Sequence, residues 1–191
     1  MIDEETARDQ VVSTADRLFY AHGVQAVGMD AVRTEAGVSL KRIYALFPSK
    51  DDLVLAVLRH RTEQWDAGVA RALAAARTPR DRMLAVFDFL AEWFREDDFR
   101  GCAFINFFGE LAGGSSRVAE AVREQKTSFQ RHVADLVREA GGPGYLAPQL
   151  ALLAEGAQTT AAITGDPATA AHARAAAETL IGAAFSPASG F

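Results

Sequence analysis

The sequence predicts an all-α protein of about nine helices. Three observations carry this. Apolar residues recur at spacings of three and four along most of the 191-residue chain, prolines number only 6, and no stretch shows the period of two that marks a strand.

Taken in order, Val11, Val12, Ala15, Leu18 and Phe19 give an amphipathic first helix from Glu5 to His22, ended by Gly23. A short helix follows from Met29 to Ala36. Gly37 makes a turn, and Ser39 caps a third helix, Leu40–Phe47, which Pro48 closes. Ser49-Lys50-Asp51-Asp52 has capping-box spacing and opens a long fourth helix to Ala76. Thr78 caps the fifth, with Pro79 at its first position, and this helix runs to Glu96. A sixth spans Cys102–Ala112, and Gly113-Gly114-Ser115-Ser116 leads into a seventh that ends near Ala140. The Gly141–Gly144 stretch breaks the pattern before an eighth helix, Pro148–Thr164. Gly165-Asp166-Pro167 stops that helix and starts a ninth, which runs to Phe185. The tail Ser186–Phe191 is expected to fray. There is no internal repeat and no low-complexity linker, so two domains, 1–50 and 51–191, are expected to share the long fourth helix.

Composition narrows the class. With 49% hydrophobic and 24% charged residues this is a soluble globular chain. The acidic N-terminus lacks the apolar run of a signal peptide, and the most apolar window, Ala151–Thr164, is short and interrupted by Glu155. The single cysteine, Cys102, rules out an intrachain disulfide and fits a reducing compartment. The expectation is a cytoplasmic protein with no membrane association. Catalytic signatures do not occur: no His-x-x-x-His, no Cys-x-x-Cys, no Gly-x-Ser-x-Gly and no phosphate loop. The four histidines (22, 60, 132 and 172) are scattered, so no metal, no cofactor and no enzymatic activity is expected.

Net charge is −5, yet Arg33, Lys41, Arg42 and Lys50 face only Glu35 within residues 33–50. An acidic chain with one basic face can bind DNA through few phosphate contacts. Two short helices joined by a glycine turn, behind a longer one, have the form of a helix-turn-helix. Ile43 and Phe47 lie four apart on the inner side of the third helix, leaving Lys41, Arg42, Tyr44 and Ala45 to face outward. Lys50 stands at the start of the next helix, where its charge and the helix terminus both favour a phosphate.

Within residues 23–53, Ala36-Gly37-Val38-Ser39, Ile43-Tyr44, Phe47 and Ser49-Lys50-Asp51-Asp52-Leu53 form a pattern that resembles the signature of the TetR family of bacterial repressors. It implies phosphate contacts at Tyr44 and Lys50. Leu40, Lys41, Arg42 and Ala45 would face bases or backbone, beside Ser39 at the helix start. Three departures stand out. Val27 and Gly28 replace a usual hydroxyl residue, Arg33 stands where a small residue is usual and is a candidate replacement contact, and Ala45-Leu46 leaves fewer base readers. Arg42 is then the best candidate for reading a guanine. The resemblance further implies a palindromic double-stranded operator and a homodimer formed through the last two helices.

Eight aromatic residues fall within 87–108 (Phe87, Phe89, Trp93, Phe94, Phe99, Phe104, Phe107 and Phe108). Dense core and an aromatic-walled effector cavity are both compatible with that density. The cavity reading names Trp65, Phe87, Leu90, Trp93, Phe94, Phe104, Asn106, Phe107, Glu110, Phe129 and His132. Asn106 and Glu110 would either orient a ligand or pair with Arg100 or Arg117. On this reading the effector is a small hydrophobic or aromatic molecule, neutral or cationic. Small residues crowd helices eight and nine, which suits close dimer packing or ordinary packing within the chain.

The function expected on these grounds is a ligand-responsive DNA-binding regulator, a repressor released from its operator by a small hydrophobic effector. One alternative is a regulator of the same fold controlled by a protein partner or by Cys102 oxidation. The other is a helical small-molecule-binding protein that does not bind DNA.

Overall fold

The structure, a computed structural model, describes residues 3–186; apart from Ser186, the tail expected to fray lies outside the described residues. Those residues form nine α-helices and no strand: α1 (Glu4–His22), α2 (Met29–Ala36), α3 (Leu40–Leu46), α4 (Lys50–Ala75), α5 (Pro79–Trp93), α6 (Ala103–Leu111), α7 (Ser116–Glu139), α8 (Leu146–Thr164) and α9 (Thr169–Ala184).

Local chemistry sets most boundaries. Asp3 accepts a hydrogen bond from the Thr6 N–H at 2.8 Å and caps α1. Thr78 and Asp81 exchange hydrogen bonds in a capping box, with Pro79 opening α5. α5 ends at Trp93, three residues before the expected Glu96. The Arg95-Glu96-Asp97-Asp98 segment places three carboxylates at the negative end of the helix dipole, and the chain turns there instead. α8 begins at Leu146, so Pro148 sits in its first turn, where the missing N–H costs nothing.

The described residues cluster into two compact units. The first comprises the chain up to Gln64 together with Cys102–Gln125. Its core draws Val11, Ala15 and Phe19 from α1, Val32 and Ala36 from α2, and Ile43 and Phe47 from around α3. Leu53, Val54 and Val57 of α4, Phe104 and Phe107 of α6, and Val118 and Val122 of α7 complete it. The second comprises Trp65–Gly101 and the chain from Lys126 onward. There Met83, Val86, Phe87 and Leu90 of α5 pack against the alanine-lined faces of α8 and α9 and against Phe129, Val133, Leu136 and Val137 of α7. Small side chains let these helices approach closely. No helix among the described residues is long and apolar enough to cross a membrane.

One contact in the second unit leaves no spare volume. A Cβ added at Gly68 would fall 2.3 Å from the Phe89 ring. That ring is itself boxed in by Trp65, at 5.1 Å, and Trp93, at 6.2 Å. Gly68→Ala is therefore expected to destabilise the protein by about 1–3 kcal/mol despite its better helix propensity. A thermal melt should show a fall of roughly 2–4 °C per kcal/mol; an unchanged melting temperature would refute the close approach.

Candidate nucleic-acid interface and aromatic cluster

Gly37 makes the turn between α2 and α3 in the left-handed region, φ +63°, where a side chain is strained. Ser39 then caps α3, its Oγ accepting the Arg42 N–H at 3.3 Å. Ile43 and Phe47 are buried, so the opposite side of α3 faces solvent with Lys41, Tyr44 and Ala45, flanked by half-buried Leu40 and Arg42. Arg33 is exposed on α2 and ion-paired with Asp30 at 3.1 Å. Arg42 donates from Nη2 to the Asp3 carbonyl at 2.7 Å, which lays the start of the described chain beside α3. Val27 is buried, and Gly28 stands at the N-cap of α2 without a side-chain cap.

Two side chains of α1, not foreseen from the sequence, brace this motif. Gln10 donates from Nε2 to the Ala36 carbonyl at 2.8 Å, pairing a group that the end of α2 leaves open. The Arg8 guanidinium lies 4.6 Å from the centre of the Phe47 ring. Deeper in the same unit, Arg61 of α4 pairs with the buried carboxylate of Asp16 on α1 and lies 4.0 Å from the Tyr20 ring centre. Such pairs, 26 to 45 residues apart, have no local sequence signal.

The start of α4 is the most densely bonded corner. Ser49 and Asp52 form the expected reciprocal cap, the Asp52 N–H donating at 3.1 Å and its carboxylate accepting the Ser49 N–H at 3.0 Å. Asp52 also accepts from Arg117 at 2.8 Å, and Asp51 accepts from the Ser115 hydroxyl. These bonds, from Ser49 first and Arg117 second, hold the Asp52 carboxyl below its ordinary value. Lys50 is half-buried; it donates to the Val24 carbonyl and lies 5.7 Å from the Phe19 ring centre. Burial pulls its pKa below the ordinary lysine value, partly offset by Glu110 and Asp51.

The residues singled out for an effector divide between the two units. In the second, Trp65 is the hub of an aromatic cluster, edge-on to Phe89 at 5.1 Å, Trp93 at 5.8 Å and Phe129 at 5.6 Å. Phe99 extends it, 5.1 Å from Trp93 and 4.7 Å from Phe94. Phe89 and Phe99 belong to the same aromatic run, yet the set expected from the sequence does not include them. Phe87 and Leu90 lie in the core beneath. His132, one turn beyond Phe129 on α7, has a buried Nε2 without a hydrogen-bond partner among the described residues.

Phe104 and Phe107 lie in the first unit's core, with Phe107 6.4 Å from Phe19. Asn106 is exposed on α6. Glu110 accepts the Gln25 N–H, and Arg117 pairs with Asp52. Cys102 is buried at the N-cap of α6. No group of three or more metal-ligating side chains occurs among the described residues.

Helices α8 and α9 sort their small residues onto two sides. Ala151, Ala154, Ala157, Ala161, Ala170, Ala173 and Ala177 are buried within the unit, while Gly156, Ala171, Ala175 and Ala176 face outward. Leu152 and Ile163 stand on the outer side of α8, 72% and 80% exposed.

Comparison with known proteins places both parts of the chain. Residues 11–57 match the family described as bacterial regulatory proteins, tetR family, and residues 79–177 match a tetracyclin repressor-like C-terminal domain. A TetR-family transcriptional regulator from Streptomyces coelicolor superposes with a TM-score of 0.87 at 28% identity, covering 95% of this chain and 97% of that one. A tetR-type regulator structure from Streptomyces avermitilis gives 0.79 at 32%, over 93% and 97%. The transcriptional activator FasR of Mycolicibacterium smegmatis is 31% identical over 96 residues, 50% of this chain and 44% of its own length. The chain spans about half the length of the curated relatives it matches.

The Asp52 carboxylate makes the α4 corner sensitive to acid. Because its folded pKa lies below the ordinary value of 3.8, its stabilising contribution is present above that pH. The contribution is lost as pH falls through the folded value. Asp52→Ala should therefore melt lower than the parent at neutral pH, with the gap closing below about pH 4. A gap that stays constant across the titration would mean that the charge contributes nothing.

Proposed function

Since the chain belongs to the tetR family of bacterial regulatory proteins, we propose that it is a cytoplasmic, homodimeric transcriptional regulator that represses from a palindromic operator and is released by a small hydrophobic effector. The observation that carries this reading is α3: a capped helix pinned by Ile43 and Phe47 that presents Lys41, Tyr44 and Ala45 outward. A helix of this size fits the major groove, and a two-fold dimer presents two of them to two half-sites. Tyr44 and Lys50 are assigned to phosphates and Lys41 and Arg42 to base edges, with Arg33 and Ser39 at the flank and Leu40 and Ala45 in apolar contact. Not being an enzyme is part of the same reading.

The effector contacts are assigned to the second unit's cluster, with Trp65, Phe89, Trp93, Phe99 and Phe129 as apolar walls and the unpartnered His132 nitrogen as the polar group that orients the ligand. Asn106, exposed on α6, and Glu110, which accepts the Gln25 N–H, lie in the first unit and are left outside that assignment. The effector acts by preferring the conformation that does not fit the operator. The mycobacterial relative is named an activator, so a reporter read with and without the gene decides the sign of regulation.

The DNA test is a titration of labelled duplex at several salt concentrations. Lys50→Ala should weaken binding to every sequence and reduce the salt slope by about 0.9. Arg42→Ala should relax preference at one base position in a selection from random sequence. Aromatic compounds that raise the melting temperature should release the duplex, and Trp93→Ala should abolish that response while keeping DNA affinity. Salt-independent binding by the parent, or a Trp93→Ala protein that still responds, would overturn the corresponding half of the proposal.

The dimer is tested at Gly156, where a Cβ would meet nothing within 4 Å in the protomer. Gly156→Trp should leave the protomer folded yet overpack a two-fold α8–α9 interface, costing on the order of 1–3 kcal/mol. Light scattering should report a dimer for the parent at micromolar concentration and dissociation for the variant. Ala161, buried within the protomer, cannot make this distinction. A monomeric parent would refute the interface.

A further inference from the structure

The turn joining α1 to α2 is gripped by two charged side chains that come from outside the three N-terminal helices. From α6, the Glu110 carboxylate accepts the Gln25 N–H at 3.0 Å, and the Glu110 carbonyl accepts from the Gln25 amide. From the first turn of α4, the Lys50 ammonium donates to the carbonyl of Val24, the residue between. Gly23 completes the site. Its φ is +86°, and a Cβ there would lie 3.2 Å from Glu110 Oε2, so only glycine allows both the backbone conformation and the close carboxylate. Every one of these groups belongs to the same compact unit.

Three consecutive residues, Gly23 to Gln25, thus hold an anion and a cation beside each other. Lys50 is half-buried and its desolvated charge is opposed by Glu110 before any other carboxylate. The proposed function assigns that same ammonium to a DNA phosphate, which must share its field with the carboxylate already present.

We infer that Glu110 is the positioning residue for the Lys50 phosphate contact: its carboxylate fixes the turn on which Lys50 rests and competes with the phosphate for the Lys50 charge. This rests on the DNA-binding reading above. It gives α6 a route to the DNA surface that needs no contact between α6 and DNA. A displacement of α6 withdraws both the acceptor that orders the turn and the counter-charge that moderates Lys50, two effects of opposite sign on affinity.

The two effects separate by substitution. Glu110→Gln keeps an oxygen to accept the Gln25 N–H and removes the charge. It should bind mixed-sequence duplex DNA about two- to fivefold more tightly than the parent at low salt, the size expected of one partly screened charge pair. The salt slope should steepen, because Lys50 then neutralises a phosphate more fully. Glu110→Ala removes the acceptor as well and should bind more weakly than Glu110→Gln, while Glu110→Asp, which keeps the charge, should bind no more tightly than the parent.

The decisive comparison repeats Glu110→Gln on a Lys50→Ala background. The gain in affinity should disappear there, as measured by fluorescence anisotropy with melting curves confirming that each variant folds. An equal gain on both backgrounds would reduce Glu110 to one of many surface charges, and unchanged or weaker binding by Glu110→Gln would make it a structural brace only. Either result overturns the inference while leaving the DNA-binding reading intact. A parent protein that binds no duplex at low salt overturns both, and is recognised by the Lys50→Ala control being equally inert.

Discussion

α3 is seven residues long, and a helix of that length does not persist in water unless it is packed against something. What holds it is the burial of Ile43 and Phe47, four residues apart on its inner side, against a core that includes Phe19 of α1, Leu53 and Val57 of α4 and Phe107 of α6. Fully burying side chains of this size contributes about 1.5–3 kcal/mol each, enough to offset the cost of ordering a short helix and its turn. The outward face is then fixed by default. With Ile43 and Phe47 inside, the helical period leaves Lys41, Tyr44 and Ala45 outside.

The same burial explains why the first unit is larger than three helices. Ile43 and Phe47 belong to one core cluster with Phe104 and Phe107 of α6 and Val118 and Val122 of α7, and the unit includes those helices' segments. Polar bonds then fix the orientation of elements that apolar packing alone would leave adjustable. Asp51 to Ser115 and Asp52 to Arg117 tie the start of α4 to the start of α7, and Arg61 to Asp16 ties α4 to α1. The last pair is largely buried, a weak source of net stability but a strict one in geometry, because breaking it would leave a charge without a partner.

The helices were legible because their signals are local: apolar residues spaced three and four apart, Pro79 and Thr78 at one start, Gly23 and Gly37 at two ends. The main boundary error, at the end of α5, arose where Arg95 to Asp98 made apolar periodicity a poor guide and charge against the helix dipole decided the outcome. The motif around Gly37 was also legible, since a positive φ and a hydroxyl cap are written in single residues. The aromatic run was a different matter. Composition shows that eight rings are close in sequence, but not which way each points. Phe104 and Phe107 turned into one core while Phe89, Trp93 and Phe99 gathered around Trp65, a choice set by helices far away in the chain. The Glu110 to Gln25 contact joins residues 85 apart, and nothing in either neighbourhood announces it.

The bond from Arg42 to the Asp3 carbonyl has a practical side. It brings Asp3, the cap of α1, within hydrogen-bond distance of Arg42 on α3, so the first described residue and the surface assigned to the groove are neighbours in space. A change of charge at Asp3 or Glu4 would therefore act on the field at α3 and alter any nucleic-acid measurement made on this protein.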